Sequence, residues 1–173
     1  SGFRSPGSFS TEKASDGRIF FGEGDFSNPG GFWTWKDGSG LSALVSGQYY
    51  PGYSSATIAD DGRIFFGEYD FSNPAEFRTW KDGSGLSVLM SGPNNMGFSA
   101  SKALKNGRIF FGDVGNPGRI WTWQDGSGLS VIVSNKMNPG GTNTLQVSNI
   151  WNRAYFGDST GFYYWEPYEC STR

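Results

Sequence analysis

The chain has 173 residues, with 14 basic and 16 acidic side chains that give a formal net charge of −2. It contains no histidine and one cysteine, which excludes histidine-based catalytic triads, histidine-ligated metal sites, multi-cysteine metal clusters and an intrachain disulfide. A charge near zero without a basic cluster argues against nucleic acid as the main partner, and no apolar run approaches the roughly 18 residues of a membrane span. With 27 glycines and 17% aromatic residues, the composition favours a turn-rich β protein.

Internal repetition is the main feature of the sequence. The segment Asp16–Glu23, which reads DGRIFFGE, recurs as Asp61–Glu68 and Asn106–Asp113, and a degenerate copy spans Asn152–Asp158. A second segment, WKDGSGLS, follows each of the first three copies, with glutamine in place of lysine in the third. A period of about 40–50 residues with several short strands is typical of propeller blades. We therefore divide a single domain into four units, residues 1–45, 46–90, 91–135 and 136–173.

Each unit is predicted to form four strands, named a to d in chain order. Strand a is polar and irregular, strand b is RIFFG, strand c is FWTW or its equivalent, and strand d is LSALV or its equivalent. Asp-Gly or Asn-Gly between a and b, and Asp-Gly-Ser-Gly between c and d, supply the positive φ angles of tight hairpins. No helical apolar period is sustained. The sequence thus predicts an all-β, four-bladed β-propeller of four-stranded antiparallel repeats; a β-sandwich of four hairpins is the alternative.

The repeated segments resemble known propeller repeats. GRIFFG followed by WKDGSGLSVL is similar to the blades of the YWTD and TolB-type families, across strands b, c and d of the first three units. The YWTD tetrad itself is replaced by FFGE, and those families use more than four blades. Four-bladed closure resembles the hemopexin domain, whose usual disulfide cannot form with a single cysteine. The composition is also similar to that of propeller lectins, so the resemblance implies the architecture and no residue-level function.

The connections between strands differ at the two edges of the predicted blades. The a–b and c–d turns are short and nearly invariant, whereas the b–c and d–a connections, such as residues 23–31, 48–53 and 93–98, are longer, aromatic and variable. Binding residues gather on variable loops held by a rigid frame, so we expect the b–c/d–a edge to bind the ligand. The candidate ligand-binding residues are Glu23, Asp25, Asn28, Trp33, Tyr49, Tyr50, Glu68, Asp70, Asn73, Arg78, Asp113, Trp121, Asp158 and Tyr163.

Four of these candidates form a repeated acidic set at the ends of the b strands, at positions 23, 68, 113 and 158. A metal ion shared on the axis is not expected, because opposed carboxylates would lie roughly 20 Å apart and Ca²⁺ needs oxygens at about 2.3–2.6 Å. Two interpretations are left open. Each carboxylate either accepts hydrogen bonds from its own b–c loop or binds a ligand hydroxyl.

Two positions of strand c, and one of strand b, complete the pattern. The tryptophans of one position are invariant and are predicted to pack between blades: Trp35, Trp80, Trp123 and Trp165. Two residues earlier, tryptophan is exchanged for arginine or tyrosine, so that position is not expected to be tightly packed, although Trp33 could also extend the core. An aromatic ring beside a carboxylate suits a sugar. The arginines at 18, 63, 108 and 153 are expected at the opposite edge, bonded to turn carbonyls or a neighbouring blade.

These features favour a lectin-like propeller with several weak sugar sites, whose partners are glycans or glycoproteins and gain avidity from repetition. A protein-interaction propeller using the same edge is the alternative. A glycosidase is disfavoured because the acids recur by symmetry instead of converging, so we expect no enzymatic activity. No cofactor, metal or membrane insertion is expected. The fourth unit lacks an apolar d strand, which leaves open a fragment of a longer propeller or a homo-oligomer that completes a ring. The missing initiator methionine and the lectin-like composition favour an extracellular protein.

Overall fold

The structure, a computed structural model, describes most of the chain. The described residues are 10–25, 28–48, 51–52, 55–68, 75–92, 95–114, 118–136, 145–158 and 161–167. Within these ranges the regular structure consists of β-strands, as the sequence predicts. None of the described residues belongs to a helix long and apolar enough to cross a membrane.

Four sheets follow one another along the chain, one for each repeat unit. The first two contain β1 (Thr11–Lys13), β2 (Ile19–Asp25), β3 (Asn28–Lys36), β4 (Gly40–Gln48), β5 (Ala56–Ile58), β6 (Ile64–Gly67), β7 (Ala75–Lys81) and β8 (Gly85–Gly92). The last two contain β9 (Asn95–Ala103), β10 (Ile109–Val114), β11 (Gly118–Gln124), β12 (Gly128–Lys136), β13 (Gln146–Ser148), β14 (Arg153–Asp158) and β15 (Gly161–Trp165). Strands are antiparallel neighbours in chain order within each sheet, and the described part of the fourth sheet has three strands. The predicted four-bladed propeller of antiparallel repeats is confirmed.

The a–b turns show why the Asp-Gly-Arg segment recurs. Gly17 has a φ of 84°, in the left-handed region that glycine enters without steric cost. Asp16 Oδ1 accepts a 3.1 Å hydrogen bond from the backbone N–H of Arg18, which closes the turn. In the degenerate fourth copy Asn152 takes the glycine's place with a φ of 51°, and asparagine is one of the few other residues that tolerates this conformation.

Buried apolar side chains lie between consecutive blades. Phe20 and Phe32 of blade 1 pack with Ile64 and Phe66 of blade 2, and equivalent clusters join blades 2 and 3 and blades 3 and 4. Neighbouring residues of a strand point to opposite faces, so a blade covered on both sides buries two successive residues. Phe65 and Phe66 are both fully buried for this reason. The continuous apolar run of strand b therefore reflects blades packed on both faces.

A repeated contact of arginine with tryptophan joins each blade to the next. The guanidinium carbon lies over the next blade's indole at similar distances: 5.2 Å for Arg18 and Trp80, 5.1 Å for Arg63 and Trp123, and 4.9 Å for Arg108 and Trp165. Arg18 also pairs with Asp82 at 3.0 Å, and Arg63 with Asp125 at 2.5 Å. The expectation that these arginines reach a neighbouring blade is confirmed for Arg18, Arg63 and Arg108, with carboxylates as partners in blades 2 and 3, whereas Arg153 pairs with Glu166 of its own blade.

Trp35 departs from the other three tryptophans. Its side chain is 39% exposed, whereas Trp80, Trp123 and Trp165 pack against the clusters between blades. The prediction that Trp35 is a core residue is wrong, because blade 1 presents this face to the outside and no other sheet formed by the described residues covers it. Phe21, on the same face, is only partly buried, while its equivalent Phe66 is fully buried.

The connections at the b–c edge are shorter than the sequence predicts. Residues 23–31 were expected to be a loop, yet β2 continues to Asp25 and β3 begins at Asn28, with Glu23 opposite Gly31. A register shift between Glu23 and Asp25 lets the hairpin continue. Strand β9 likewise begins at Asn95, within the segment expected to be the second d–a loop. Pairing of the backbone along these segments therefore extends the frame toward the edge.

Trp80→Ala should lower the free energy of unfolding by about 3 kcal/mol, because it removes a half-buried indole that meets Phe20 at 5.7 Å and carries Arg18 on its face. Val88→Ala is the control in the same blade, since Val88 is 46% exposed, and should cost less than about 0.5 kcal/mol. Urea unfolding followed by circular dichroism measures both. A loss below about 1 kcal/mol for Trp80→Ala would show that the contact between blades contributes little.

Candidate functional site

The candidate site is the b–c edge, where strand b of each blade ends beside the start of strand c. The acids of the repeated set lie here: Glu23 in β2, Glu68 just after β6, Asp113 in β10 and Asp158 in β14. The backbone hairpins place each acid close to strand c of its own blade, since Gly22, Gly67, Gly112 and Gly157 pair with residues of that strand.

In blade 2 the acid forms an ion-pair cluster. Glu68 is 4% exposed, and its Oε1 accepts a 2.7 Å hydrogen bond from Arg78 Nε. Arg78 Nη2 forms a second ion pair with Glu76, whose other oxygen accepts a 3.3 Å bond from the Ser91 hydroxyl. The backbone N–H of Glu68 donates to the carbonyl of Glu76 at 3.0 Å. One guanidinium therefore holds two carboxylates of the same hairpin.

Burial raises the pKa of Glu68 above its ordinary value, because the charged carboxylate loses its contact with water. The Arg78 guanidinium opposes this shift, and the neighbouring Glu76 carboxylate adds to it. The protonation of Glu68 therefore depends on its burial and on the charges of Arg78 and Glu76.

In blade 3 the acid is held by neutral donors. Asp113 is also 4% exposed, and its Oδ1 accepts a 2.5 Å bond from the backbone N–H of Arg119 while Oδ2 accepts a 3.1 Å bond from the Trp121 indole N–H. The Arg119 guanidinium lies over the Trp121 ring at 5.5 Å. The interpretation of the acid as a group that accepts hydrogen bonds from its own b–c connection is thus confirmed for Asp113.

In blades 2 and 3 the strand c position that varies between blades is tightly packed, contrary to the expectation from the sequence, whereas Trp33 and Tyr163 at the same position are partly buried. Trp121 is 9% exposed, and the Arg78 side chain is nearly as buried. Both are held by the acid at the end of strand b, so tryptophan and arginine are interchangeable here because each donates an N–H to that carboxylate. In blades 2 and 3 the exchange in the sequence therefore marks the same contact made by two different donors and not a loosely packed position.

Blades 1 and 4 complete the set with aromatic side chains. Trp33 is partly buried and lies in strand β3, opposite Phe21 of strand β2. A Cβ atom added at Gly31 would lie 2.7 Å from Trp33 Nε1, so glycine is required beside this indole. In blade 4, Tyr163 stacks on Phe156 with ring centroids 5.8 Å apart.

Several predicted residues fall outside what the structure describes. Asp25 and Asn28 face each other in the hairpin of blade 1, and Asp158 faces Gly161 in blade 4, but the positions of these three side chains lie outside the described part. The same holds for the whole of four further candidates, Tyr49, Tyr50, Asp70 and Asn73. Their predicted roles in ligand binding remain predictions.

Two residues at this edge were not among the predicted ones. Glu76 and Arg119 are each the second residue of strand c, where the repeat varies between blades, and that variation was the available signal. Glu76 is half-buried and Arg119 is exposed, so both can reach a ligand more easily than the buried acids. Within the described ranges, no group of three or more acidic or cysteine side chains is close enough to hold a metal ion.

Arg78→Met should lower the free energy of unfolding by roughly 3 kcal/mol at pH 7, because it leaves the buried Glu68 carboxylate without its cation. Since the pKa of Glu68 is already raised above 4.5, and rises further without Arg78, ionisation costs stability as the pH rises from 4.5. The loss should therefore be small at pH 4 and grow toward pH 7.

Arg119→Met is the matched control, since the backbone N–H of residue 119 still donates to Asp113 and the side chain is exposed. It should change stability by less than about 0.5 kcal/mol at either pH. Urea unfolding at pH 4 and pH 7 measures both variants. An equal loss at the two pH values for Arg78→Met would show that Glu68 is not ionised against this guanidinium.

No protein-family model and no curated protein matches the chain. Solved structures do match it, at low sequence identity. A puromycin hydrolase mutant (S511A) complexed with PGG has a TM-score of 0.63 and 14% identity, over 90% of this chain and 25% of that chain. The β-propeller domain of the Trilobed protease from Pyrococcus furiosus, described with an open velcro topology, has a TM-score of 0.62 and 10% identity, over 96% of this chain and 55% of that chain.

The lectin SapL1, in complex with alpha methyl fucoside, has a TM-score of 0.59 and 16% identity, over 94% of this chain and 63% of that chain. The chain thus spans between 25% and 63% of the length of these three proteins. These comparisons contradict the expectation that the chain is not an enzyme, because the puromycin hydrolase and a putative gluconolactonase, each 14% identical to the chain, are among the structures that it resembles. An enzymatic role therefore stands open, and at these identities the comparisons establish one point: the chain has the β-propeller fold.

Proposed function

We propose that the chain binds carbohydrate through the b–c edge of its blades. The observation that carries the proposal is the recurring pair of a carboxylate at the end of strand b with a donor on strand c, Glu68 with Arg78 and Asp113 with Trp121. Sugars offer hydroxyl groups to charged and amide groups and an apolar ring face to aromatic planes. An edge that repeats fixed charges beside aromatic rings suits this ligand class.

Within each pair the buried acid organises the edge, and its more accessible neighbours, the half-buried Glu76 and the exposed Arg119, contact the sugar. Glu68 fixes Arg78, which in turn orients Glu76, and Asp113 fixes the indole over which Arg119 lies. A group held in place by its neighbours loses little freedom when the ligand binds, which favours affinity. Glu76 is therefore the acceptor that we assign to sugar hydroxyls in blade 2, and Arg119 is the donor in blade 3.

The blades differ in charge, so their sites are not expected to be equal. Blade 2 places two carboxylates around one guanidinium, whereas in blade 3 one carboxylate and one guanidinium each contact the Trp121 side chain. The cluster in blade 2 has a net negative charge and suits neutral sugars, whose hydroxyl groups donate hydrogen bonds to its carboxylates. The groups in blade 3 have no net charge. Several weak sites on one rigid body gain avidity for multivalent glycans without any additional contact.

Support at the level of the fold comes from SapL1, a lectin with the same architecture that is seen with alpha methyl fucoside. This sugar is a suitable first probe for the chain. The wider choice of glycan is a matter for a screen, because a shared fold does not transfer a site.

A glycan array followed by titration calorimetry with methyl α-fucoside tests the proposal. We expect binding to at least one glycan, and a loss of about five-fold or more in affinity for Arg119→Gln, which removes an exposed donor above the Trp121 ring. Lys36→Gln is the control, since Lys36 pairs with Asp16 at the opposite edge and should leave the affinity unchanged. A folded chain that binds no glycan on the array would refute carbohydrate binding.

A second candidate function is glycoside hydrolysis, and the Glu68 environment favours it. A carboxyl whose pKa is raised by burial suits a general acid, and Glu76, bound to the same Arg78, supplies a second carboxylate. The hydrolase among the similar structures is consistent with an enzymatic role for this fold.

Release of nitrophenol from a panel of 4-nitrophenyl glycosides tests this candidate. Turnover that falls by roughly 100-fold or more in Glu68→Gln would support hydrolysis, as expected when a general acid is removed. Glu166→Gln is the control, because Glu166 is exposed and pairs with Arg153 in blade 4. Release no faster than in buffer would refute hydrolysis, and turnover unaffected by Glu68→Gln would refute Glu68 as its general acid.

A further inference from the structure

Consecutive blades pack together through three equivalent interfaces, and each interface joins two different faces. The outer face of blade 1 and the outer face of blade 4 correspond to the two halves of such an interface. We call the face that bears Arg18, Phe20 and Phe32 in blade 1 the arginine face, and the face that bears Phe66 and Trp80 in blade 2 the tryptophan face. Three arginine faces are covered by the tryptophan face of the next blade. Blade 4 still carries an arginine face, and blade 1 still carries a tryptophan face.

The arginine face of blade 4 is open. Its residues follow from the repeat and the sheet register: Arg153, Tyr155 and Phe162, the last of which pairs with Gly157 as Phe32 pairs with Gly22. Phe162 is 72% exposed, whereas Phe32 is fully buried. Arg153 lies over Tyr164 of its own blade at 5.4 Å and pairs with Glu166 at 2.6 Å. Its guanidinium thus has local partners in place of those on a following blade.

A cavity of about 660 Å³ lies beside this face. Its lining includes Trp151, Arg153, Tyr164, Glu166 and Pro167, none of which belongs to the candidate sugar site. The indole of Trp151 and the ring of Tyr164 are largely exposed. Arg153 and Tyr164 of the arginine face therefore help to line an aromatic cavity in blade 4.

The tryptophan face of blade 1 matches this face group by group. Trp35 and Phe21 stand at the positions of Trp80 and Phe66, and Asp37 follows Trp35 by two residues as Asp82 follows Trp80. Asp37 is exposed. Docked as the internal interfaces are, Arg153 would lie over Trp35 and pair with Asp37, and Phe162 would stack on Phe21 as Phe32 stacks on Phe66 at 4.2 Å.

We propose that the arginine face of blade 4 binds the tryptophan face of blade 1 from a second copy of this chain. Such a contact joins different surfaces of the two copies, so it is heterologous and each copy keeps one face of each kind for a further contact. Charge and shape identify the second copy as the occupant. In blades 2 and 3 the tryptophan face offers an indole and a carboxylate to the arginine face that it covers, and the open tryptophan face of blade 1 carries both groups.

Sedimentation velocity of the chain over a dilution series tests the proposal. We expect a mass above that of the monomer which falls on dilution, and weakening by at least about ten-fold in Arg153→Asp and in Asp37→Arg, since each variant opposes like charges across the contact. An equimolar mixture of the two variants should associate again, because every contact between unlike copies then joins opposite charges. Lys105→Asp, which reverses an exposed charge in the a–b turn of blade 3, is the control and should associate as the unmodified chain does.

Circular dichroism and the melting temperature establish that each variant is folded, and the mixture provides a readout that misfolding of one variant could not restore. A monomer at all concentrations would overturn the proposal, including one in which the charge variants lower the melting temperature because blades 1 and 4 of the same chain meet. Association that both charge variants leave unchanged would also overturn it, since the contact would then involve another surface.

Discussion

The contact between an arginine of one blade and a tryptophan of the next organises the whole molecule. It joins three kinds of interaction in one place: a guanidinium over an indole, a phenylalanine at the indole edge and, in blades 2 and 3, a carboxylate beside the guanidinium. A four-stranded sheet alone leaves two apolar faces in water, and each such contact covers one face of two sheets. The fold is therefore a series of equivalent interfaces, and its stability is distributed along the row of blades much as in other repeat proteins.

The two edges of the blades use arginine and acid differently. At the a–b and c–d edge, Arg18 and Arg63 form ion pairs with carboxylates of the next blade that remain largely exposed. Such exposed ion pairs contribute little to the free energy of folding and mainly fix the alignment of one blade with the next. At the b–c edge, Glu68 and Asp113 are buried and each is bonded within its own hairpin. A buried, fully bonded carboxylate fixes its surroundings, and this leaves exposed neighbours such as Arg119 to vary without disturbing the frame.

The outer faces of blades 1 and 4 carry apolar side chains of the kind that is buried between blades. Trp35 and Phe162 have the residue types of buried positions and the exposure of surface ones. An apolar ring at a position where every equivalent ring is covered indicates a surface that another sheet can occupy.

The 45-residue repeat alone determined the strand order, the turns and the class of fold, because hairpin turns and the apolar run of strand b depend on residues close together in the chain. It also identified the edge where acids and aromatic side chains recur. Tertiary structure decided what those side chains do. Whether Arg78 and Trp121 are open or packed depends on carboxylates ten and eight residues away across a hairpin. Whether Trp35 is core or surface depends on a blade that precedes it in space, and no local pattern encodes the presence of that neighbour.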